Sequence, residues 1–484
     1  MMPRLGWLLC GCFLATGSLL IAQDVAVSPP QKVNSGAAQF TVLGNTREGL
    51  LVHYHLRGQH VLYAFYPSMQ LRWKKNLSLR ERQADIRKVL LSDDSLTVLY
   101  SLSSRGQVLL YGARFALKPE QPVRTVLLDT LASNVLVTSP ALEVRQPPDE
   151  QHVVIWFEDV AFSLNKRIYL SCYDQHLRRI WKQSLVLELL SDPEVIEASA
   201  DSSGHVLLTA GDRRNRMSQQ AFPYRRLLLL HVRGRDPVHS LTIDADHLML
   251  SPCLMKRVHD GRRVLLSGLY LQSGAREAGG YYFLVYDTST DSLVVRSYVG
   301  HTAEGSTEGG RTSRPSAFSA YRPVELVPTR SGGALLICEA QDVSTEMYPN
   351  PAFGTFGMTT GFAVSYFHFD DVSVVAFRPD GQPEWRKVLR KRQSTEGDGG
   401  YYSSIAVMIA PEKLYFLFND FTPGTTVTTA YSLDAAGNVE RNQLFNAERM
   451  GLWPVMRQGR QVSQNEMMVP SLKKNYLQFV RIRF

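Results

Sequence analysis

Two histidines one residue apart, His53 and His55 in "LVHYHL", are the first pair in this chain with the spacing to do chemistry. On a strand, residues i and i+2 share a face, so both imidazoles would project to one side and could begin a transition-metal site. No third ligand accompanies them in the sequence, so no metal is expected. A second set, His368, Asp370 and Asp371 in "YFHFDD", has the types for acid–base work or for a hard cation. Three such residues in a loop-like stretch are ordinary, and no catalytic residue is assigned. Five cations follow Trp385 within seven residues: Arg386, Lys387, Arg390, Lys391 and Arg392. They read as a solvated strand end or as an anion-binding rim. "GDGGYYSS" (397–404) comes next and offers backbone amides for an anion nest.

Other chemistry is missing. The chain has no G-x-S-x-G elbow, no H-E-x-x-H pair and no phosphate-binding glycine loop. No set of quinone and calcium contacts is apparent, so no cofactor is expected. Past residue 12 there are three cysteines, Cys172, Cys253 and Cys338, each set among apolar residues. An odd number cannot all pair within the chain, and no two have metal-ligand spacing, so buried free thiols are expected.

The elements that must position these residues are strands. The segments "FYPSMQLRWKKNL", "YDQHLRRIWKQSL" and "FRPDGQPEWRKVL" share one layout: an aromatic residue, Trp eight positions later, a basic residue, then Leu. The aromatics are Phe65, Tyr173 and Phe377, and the tryptophans are Trp73, Trp181 and Trp385. The tryptophan spacings approximate two and four multiples of a unit of roughly fifty residues, the length of a four-stranded propeller blade. Weaker strand–turn–strand copies lie between them, and no long segment outside the N-terminus has a helical period. The reading is an all-β chain, a single β-propeller of four-stranded blades. Eight blades are favoured, with seven as the alternative; residues 24–35 supply the strand that completes the last blade. Packing between blades then explains the three tryptophans better than chemistry does.

The strand, D-x-x-G-x-x-x-W, strand pattern around Trp385 resembles the blades of PQQ-like propellers, a group that includes quinoprotein dehydrogenases and the outer-membrane assembly scaffold BamB. Trp73 and Trp181 lack the Asp-Gly turn. The stretch 367–420, with "DGQPEW", "GDGGYYSS" and "LYFLFND", is also similar to a block in exported bacterial β-propeller proteins of uncharacterised function. This resemblance implies a fold and an exported location, and carries no catalytic residue.

Two segments break the repeat. Residues 300–320 are rich in Gly, Ser and Thr and read as a flexible loop. Residues 344–371 carry Met347, Tyr348, Phe353, Phe356, Met358, Phe362, Tyr366, Phe367 and Phe369. Their glycines and prolines argue against a regular strand throughout. Such a loop either folds back on the ring or meets a partner, because aromatic residues and Met are enriched at interfaces. The expected contact surface is Tyr348, Phe353, Phe356, Tyr366, His368 and Asp370 with the rim Arg390, Lys391 and Arg392.

Residues 1–22 have the pattern of a secretory signal peptide, with 23–484 as the propeller. Cleavage before Cys12, as in a lipoprotein, is the rival reading. No later apolar run is long enough for a membrane helix. The formal charge is +8, spread along the chain, which argues against a nucleic-acid surface but allows peripheral attraction to an anionic membrane. The expectation is an exported, monomeric ring, periplasmic or outer-membrane-associated or extracellular, that binds an envelope protein or polymer without catalysis. The alternative is an exported propeller enzyme acting on glycans or using a quinone.

Overall fold

The computed structural model describes residues 24–33, 39–56, 59–77, 79, 84–92, 95–104, 106–117, 122–132, 142–146, 151–159, 167–187, 193–213, 221–258, 261–273, 279–301, 317–349, 361–422 and 425–484. The expected signal segment and the core of the first insertion lie outside them. The helical structure described is two 3-10 turns, Phe318–Ala320 and Met456–Gln458. The strands are antiparallel and form seven sheets.

Six of those sheets hold one four-stranded meander each, and a nine-stranded sheet holds two. In chain order the units span 39–76, 85–132, 142–186, 193–244, 254–300, 321–389, 406–446 and 460–483. The short strand Leu248–Leu250 joins the fourth and fifth units by pairing with Tyr224 on one side and Tyr270–Gln272 on the other. The last unit has three strands of its own. Its fourth is the N-terminal strand Asp24–Val27, paired antiparallel to Tyr476–Arg483 in the register Asp24↔Arg483.

Each sheet packs face to face on the next through a separate apolar cluster, and the last packs on the first. Val33, Phe40, Val52 and Phe65 share one cluster with Val455, Met468 and Phe479. The alternation of strand side chains supplies both faces at once. In Val206–Arg213, Leu208 and Ala210 pack toward the third unit and Leu207 toward the fifth. Central strands buried on both faces read as continuous apolar runs, as in "RRLLLLHV". Packing of the last sheet on the first closes the ring and covers the two outer sheet faces that a linear stack would expose.

The repeated tryptophans have one geometry. The residue before each aromatic pairs directly with the tryptophan: Ala64↔Trp73, Cys172↔Trp181 and Ala376↔Trp385. A bulge falls at the aromatic in all three hairpins. The fourth residue after the aromatic is left-handed each time: Met69 (φ 65°), Leu177 (φ 61°) and Gly381 (φ 81°). The turn is therefore the same whether or not Asp-Gly is present. Met69 and Leu177 are each buried in the cluster that their sheet shares with the preceding unit, which offsets the left-handed backbone. Each tryptophan packs into the interface with the following unit.

Cys172, Cys253 and Cys338 are free and buried, and burial raises all three thiols, Cys172 and Cys253 to about 12.

Candidate binding cleft

The sixth unit differs from the others. Its middle strands, Ala334–Pro349 and Gly361–Phe377, run far past their neighbours. The first strand, Tyr321–Pro328, pairs only as far as Ala340, and the fourth, Pro383–Leu389, pairs only with Val372–Phe377. Beyond those limits the two middle strands pair with each other, from Gln341↔Phe369 to Pro349↔Gly361. Ser394–Glu396 adds a third short strand against Tyr366–His368. The segment expected to be an irregular loop is thus, in its described residues, a paired hairpin arm. The glycines and prolines that argued against a strand cluster at 349–361, largely in the stretch between the two strands. Phe353 and Phe356 lie outside the described residues.

Directly opposed residues share a face of a hairpin. One face of the arm carries Val343 and Met347, exposed by 57% and 68%. The other carries Ser344, Glu346, Tyr348, Tyr366, His368 and Glu396. On that face the Tyr348 hydroxyl donates to Glu346 Oε2 at 2.6 Å and lies 3.0 Å from the Tyr366 hydroxyl. His368 Nε2 lies 3.1 Å from Ser344 Oγ.

The basic cluster is placed differently from a rim. Lys391 is buried, with its ammonium 2.9 Å from the buried Glu339 carboxylate. It donates to the Phe369 carbonyl at 2.7 Å and to Gln393 Oε1 at 2.8 Å. Burial pulls its pKa down, and Glu339 opposes that shift. Arg390 donates to Asp371 Oδ2 at 2.5 Å, and its carbonyl accepts the Tyr431 hydroxyl at 2.6 Å. Asp370 accepts the Gln393 amide at 3.3 Å. Arg392 is exposed. Lys391 is therefore a structural ion, and Asp370, Asp371 and Arg390 are engaged in local bonds rather than gathered in a cleft with His368.

The glycine-rich turn likewise closes on itself. Asp398 Oδ1 accepts from the Thr395 hydroxyl at 2.6 Å and the Gly400 amide at 2.8 Å, and Oδ2 accepts from the Tyr402 amide at 3.3 Å. The amides read as an anion nest hold the chain's own carboxylate. His53 and His55 face the same side with His60: His53 Nε2 is 3.1 Å from His60 Nδ1, and the His55 and His60 rings stack at 4.1 Å. Among the described residues no group of three or more His, Cys, Asp or Glu has metal-site geometry.

Where the arm meets the seventh and eighth units, a cleft of about 360 Å³ opens. Thr395, Glu396, Asp398 and Tyr402 line one side, Asn419, Phe421 and Thr426 the second, and Trp453 and Pro454 the third. Trp453 is 46% exposed and meets Tyr402 edge-on at 5.4 Å. Burial first, then Asp398, raises the Tyr402 phenol, whose hydroxyl donates to the Leu472 carbonyl at 2.9 Å.

Asn419 forms the floor of the cleft. It lies within Lys413–Thr422 and is 1% exposed. Its amide nitrogen donates to the Tyr402 carbonyl at 3.1 Å and the Pro454 carbonyl at 2.7 Å, tying three connections together. The Asn419 backbone carbonyl accepts from Gln393 Nε2 at 2.8 Å, so the cleft floor joins the buried Lys391–Glu339 pair through Gln393. Sequence reasoning did not find Trp453. It stands outside the tryptophan register, in a connection with no pattern of its own.

Solved structures align with much of this chain at low identity. The WD40 domain of SCAP from fission yeast aligns over 95% of this chain and 94% of its own, at 9% identity and a TM-score of 0.43. The polysaccharide lyase Uly1 aligns over 94% and 99% at 9% identity and 0.38. The dihydro-heme d1 dehydrogenase NirN aligns over 74% and 58% at 13% identity and 0.37. Such likeness concerns the fold alone. No protein-family model and no curated protein matches the sequence.

Proposed function

We propose that this β-propeller is a non-enzymatic binding module of the cell envelope, with eight blades, and that its contact surface is the arm of the sixth unit together with the adjoining cleft. The observation that carries this reading is the arm itself. It is the one blade in the described residues whose middle strands outrun both neighbours by this much; the arm exposes Val343 and Met347 on one face, and the short strand paired with it supplies Thr395 and Glu396 to the cleft. Long excursions from a rigid scaffold are where binding residues concentrate.

The competing reading is an exported enzyme. Glu396 and Asp398 line the cleft and supply the carboxylates such an enzyme needs. Asp398, however, is held by three donors of its own turn, which suits a structural cap better than a proton carrier. Export follows from the sequence pattern of residues 1–22, and the PQQ-like repeat from the turn at Trp385.

The test replaces 344–366 by Asn-Gly, which joins the opposed residues Val343 and Phe367 through a two-residue hairpin turn. Tagged wild-type and short-arm proteins are crosslinked in cells and the captured material identified by mass. One dominant envelope component, absent from the short-arm sample, is the expected result. Identical capture by both proteins removes the arm from the contact surface. Turnover of an envelope glycan by the purified protein would replace the binding reading with the enzymatic one.

A further inference from the structure

The chemistry of the cleft narrows its ligand, on the premise that the cleft belongs to the contact surface proposed above. Its walls are aromatic and its charged groups, Glu396 and Asp398, are acceptors. Glu396 is exposed at one edge and has a carboxylate to offer. Asn419 lines the floor, and both hydrogens of its side-chain amide are committed to the Tyr402 and Pro454 carbonyls. That fixes the amide orientation and leaves Oδ1, buried and without a hydrogen-bond partner among the described residues, as an acceptor in need of a donor.

Two carboxylates in the lining repel an anion, and no Lys or Arg is part of it. A cation is disfavoured too. The Lys473 ammonium already sits 6.0 Å from the centre of the Trp453 ring, and Arg457 donates to the Gly399 and Gly400 carbonyls beside Asp398. What remains is a neutral molecule with an apolar face and several hydroxyl donors. A pyranose ring has both: axial C–H bonds for the negative face of an indole, and hydroxyls for Glu396 and Asn419. The volume falls at the small end of the range for small-molecule sites, about 300–1,000 Å³.

We propose that the cleft is a saccharide-binding site in which Trp453 stacks on a sugar ring while Glu396 and Asn419 accept its hydroxyls. The full chain is titrated with cellobiose, N,N′-diacetylchitobiose and maltotriose, followed by tryptophan fluorescence. n-Butylammonium chloride and sodium sulfate serve as cationic and anionic counter-probes. At least one oligosaccharide binds saturably, and Trp453→Ala weakens it by about tenfold or more. Trp453 is half-exposed, so its removal leaves the ring folded, which thermal melting checks; Glu396→Gln, at an exposed position, weakens binding independently.

Saturable binding of a counter-probe without any sugar overturns the proposal. So does the absence of saturable binding by every probe, or sugar affinity unchanged in both variants. The short-arm protein separates the two levels. If no sugar binds but capture still depends on the arm, the saccharide assignment falls and the binding module stands. If capture is also independent of the arm, the saccharide assignment and the contact surface on the arm both fall.

Discussion

Lys391 and Glu339 form an ion pair of 2.9 Å in which the side chains are 1% and 0% exposed. Glu339 lies on a middle strand of the sixth unit and Lys391 in the connection that follows the unit, and the remaining hydrogen bonds of the pair come from the middle strands and that connection. The Ser404 hydroxyl donates to Glu339 Oε2 at 2.5 Å, and Gln341 Nε2 donates to the same oxygen at 3.0 Å. Gln393 Oε1 accepts from Lys391 and from the Ser404 amide, at 2.8 and 2.9 Å. A charge pair out of water survives only when its other valences are met in this way. Lys391→Met leaves the Glu339 carboxylate buried without its counter-ion, and is expected to cost about 3–5 kcal/mol. Chemical denaturation of the purified variant measures this. A loss below about 1 kcal/mol, the range of exposed pairs, would show that the pair is hydrated in solution.

The three register tryptophans are not equivalent. Trp181 is 4% exposed between the third and fourth units, whereas Trp73 and Trp385 are half-buried. Trp73 Nε1 donates to Glu48 at 3.2 Å and Trp385 Nε1 to the Ala435 carbonyl at 3.3 Å. Trp181→Ala is expected to cost about 3–5 kcal/mol. Trp385→Ala, which buries less surface, should cost about 1–2 kcal/mol. Urea melts of the two variants side by side give the order.

The shared left-handed turn makes a further distinction. Gly381→Ala forces a side chain onto φ 81° and places its Cβ 2.7 Å from Ser297 Cβ, so it should destabilise by about 2 kcal/mol or more. Leu177→Gly relieves a backbone cost of about 1–2 kcal/mol but empties a buried position, where truncation costs about 2–5 kcal/mol. Both variants are expected to be less stable than the parent, for opposite reasons, in the same melting assay.

Acid sensitivity should centre on the first unit. Burial, with the neighbouring imidazoles, lowers His53 to about 4 and His60 to about 3. Their facing nitrogens at 3.1 Å need one donor and one acceptor, which two imidazolium rings cannot supply. The unfolded chain therefore binds more protons once the pH falls below the ordinary histidine value of about 6.5. Stability is full above that point and falls as the pH drops toward 4–3. Midpoints of denaturation between pH 7 and pH 4 check this. His60→Gln should flatten the decline by about 1 kcal/mol or more; an unchanged slope would place the acid lability elsewhere.

Much of the ring was legible because it repeats. Alternating and fully apolar strands, turn residues at fixed intervals and the aromatic–tryptophan spacing all report local geometry, and local geometry is written in neighbouring residues. The spacing of eight is the path through one bulged hairpin, so Phe65, Tyr173 and Phe377 stand where the register requires even when the turn residues change. The pairing of residues 24–27 with the C-terminal strand was legible for another reason: the last unit lacks a strand and the first residues have one to give.

The site was hardly legible, because its parts are brought together by the ring and not by adjacency. Lys391 looks like a rim cation in "RKVLRKRQ" until Glu339, from a different strand, is seen beside it in the core. The amides of "GDGGYYSS" look like an anion nest until Asp398 turns back to fill it. Trp453, Asn419 and Glu396 lie 57 residues apart at the extremes and carry no shared pattern. The strands, their grouping in fours and the tryptophan interfaces are written in the chain, since each depends on periodicity within a few tens of residues. Which charges are buried in pairs and which aromatic ring faces open space emerges on folding, because burial and exposure are set by elements distant in the chain.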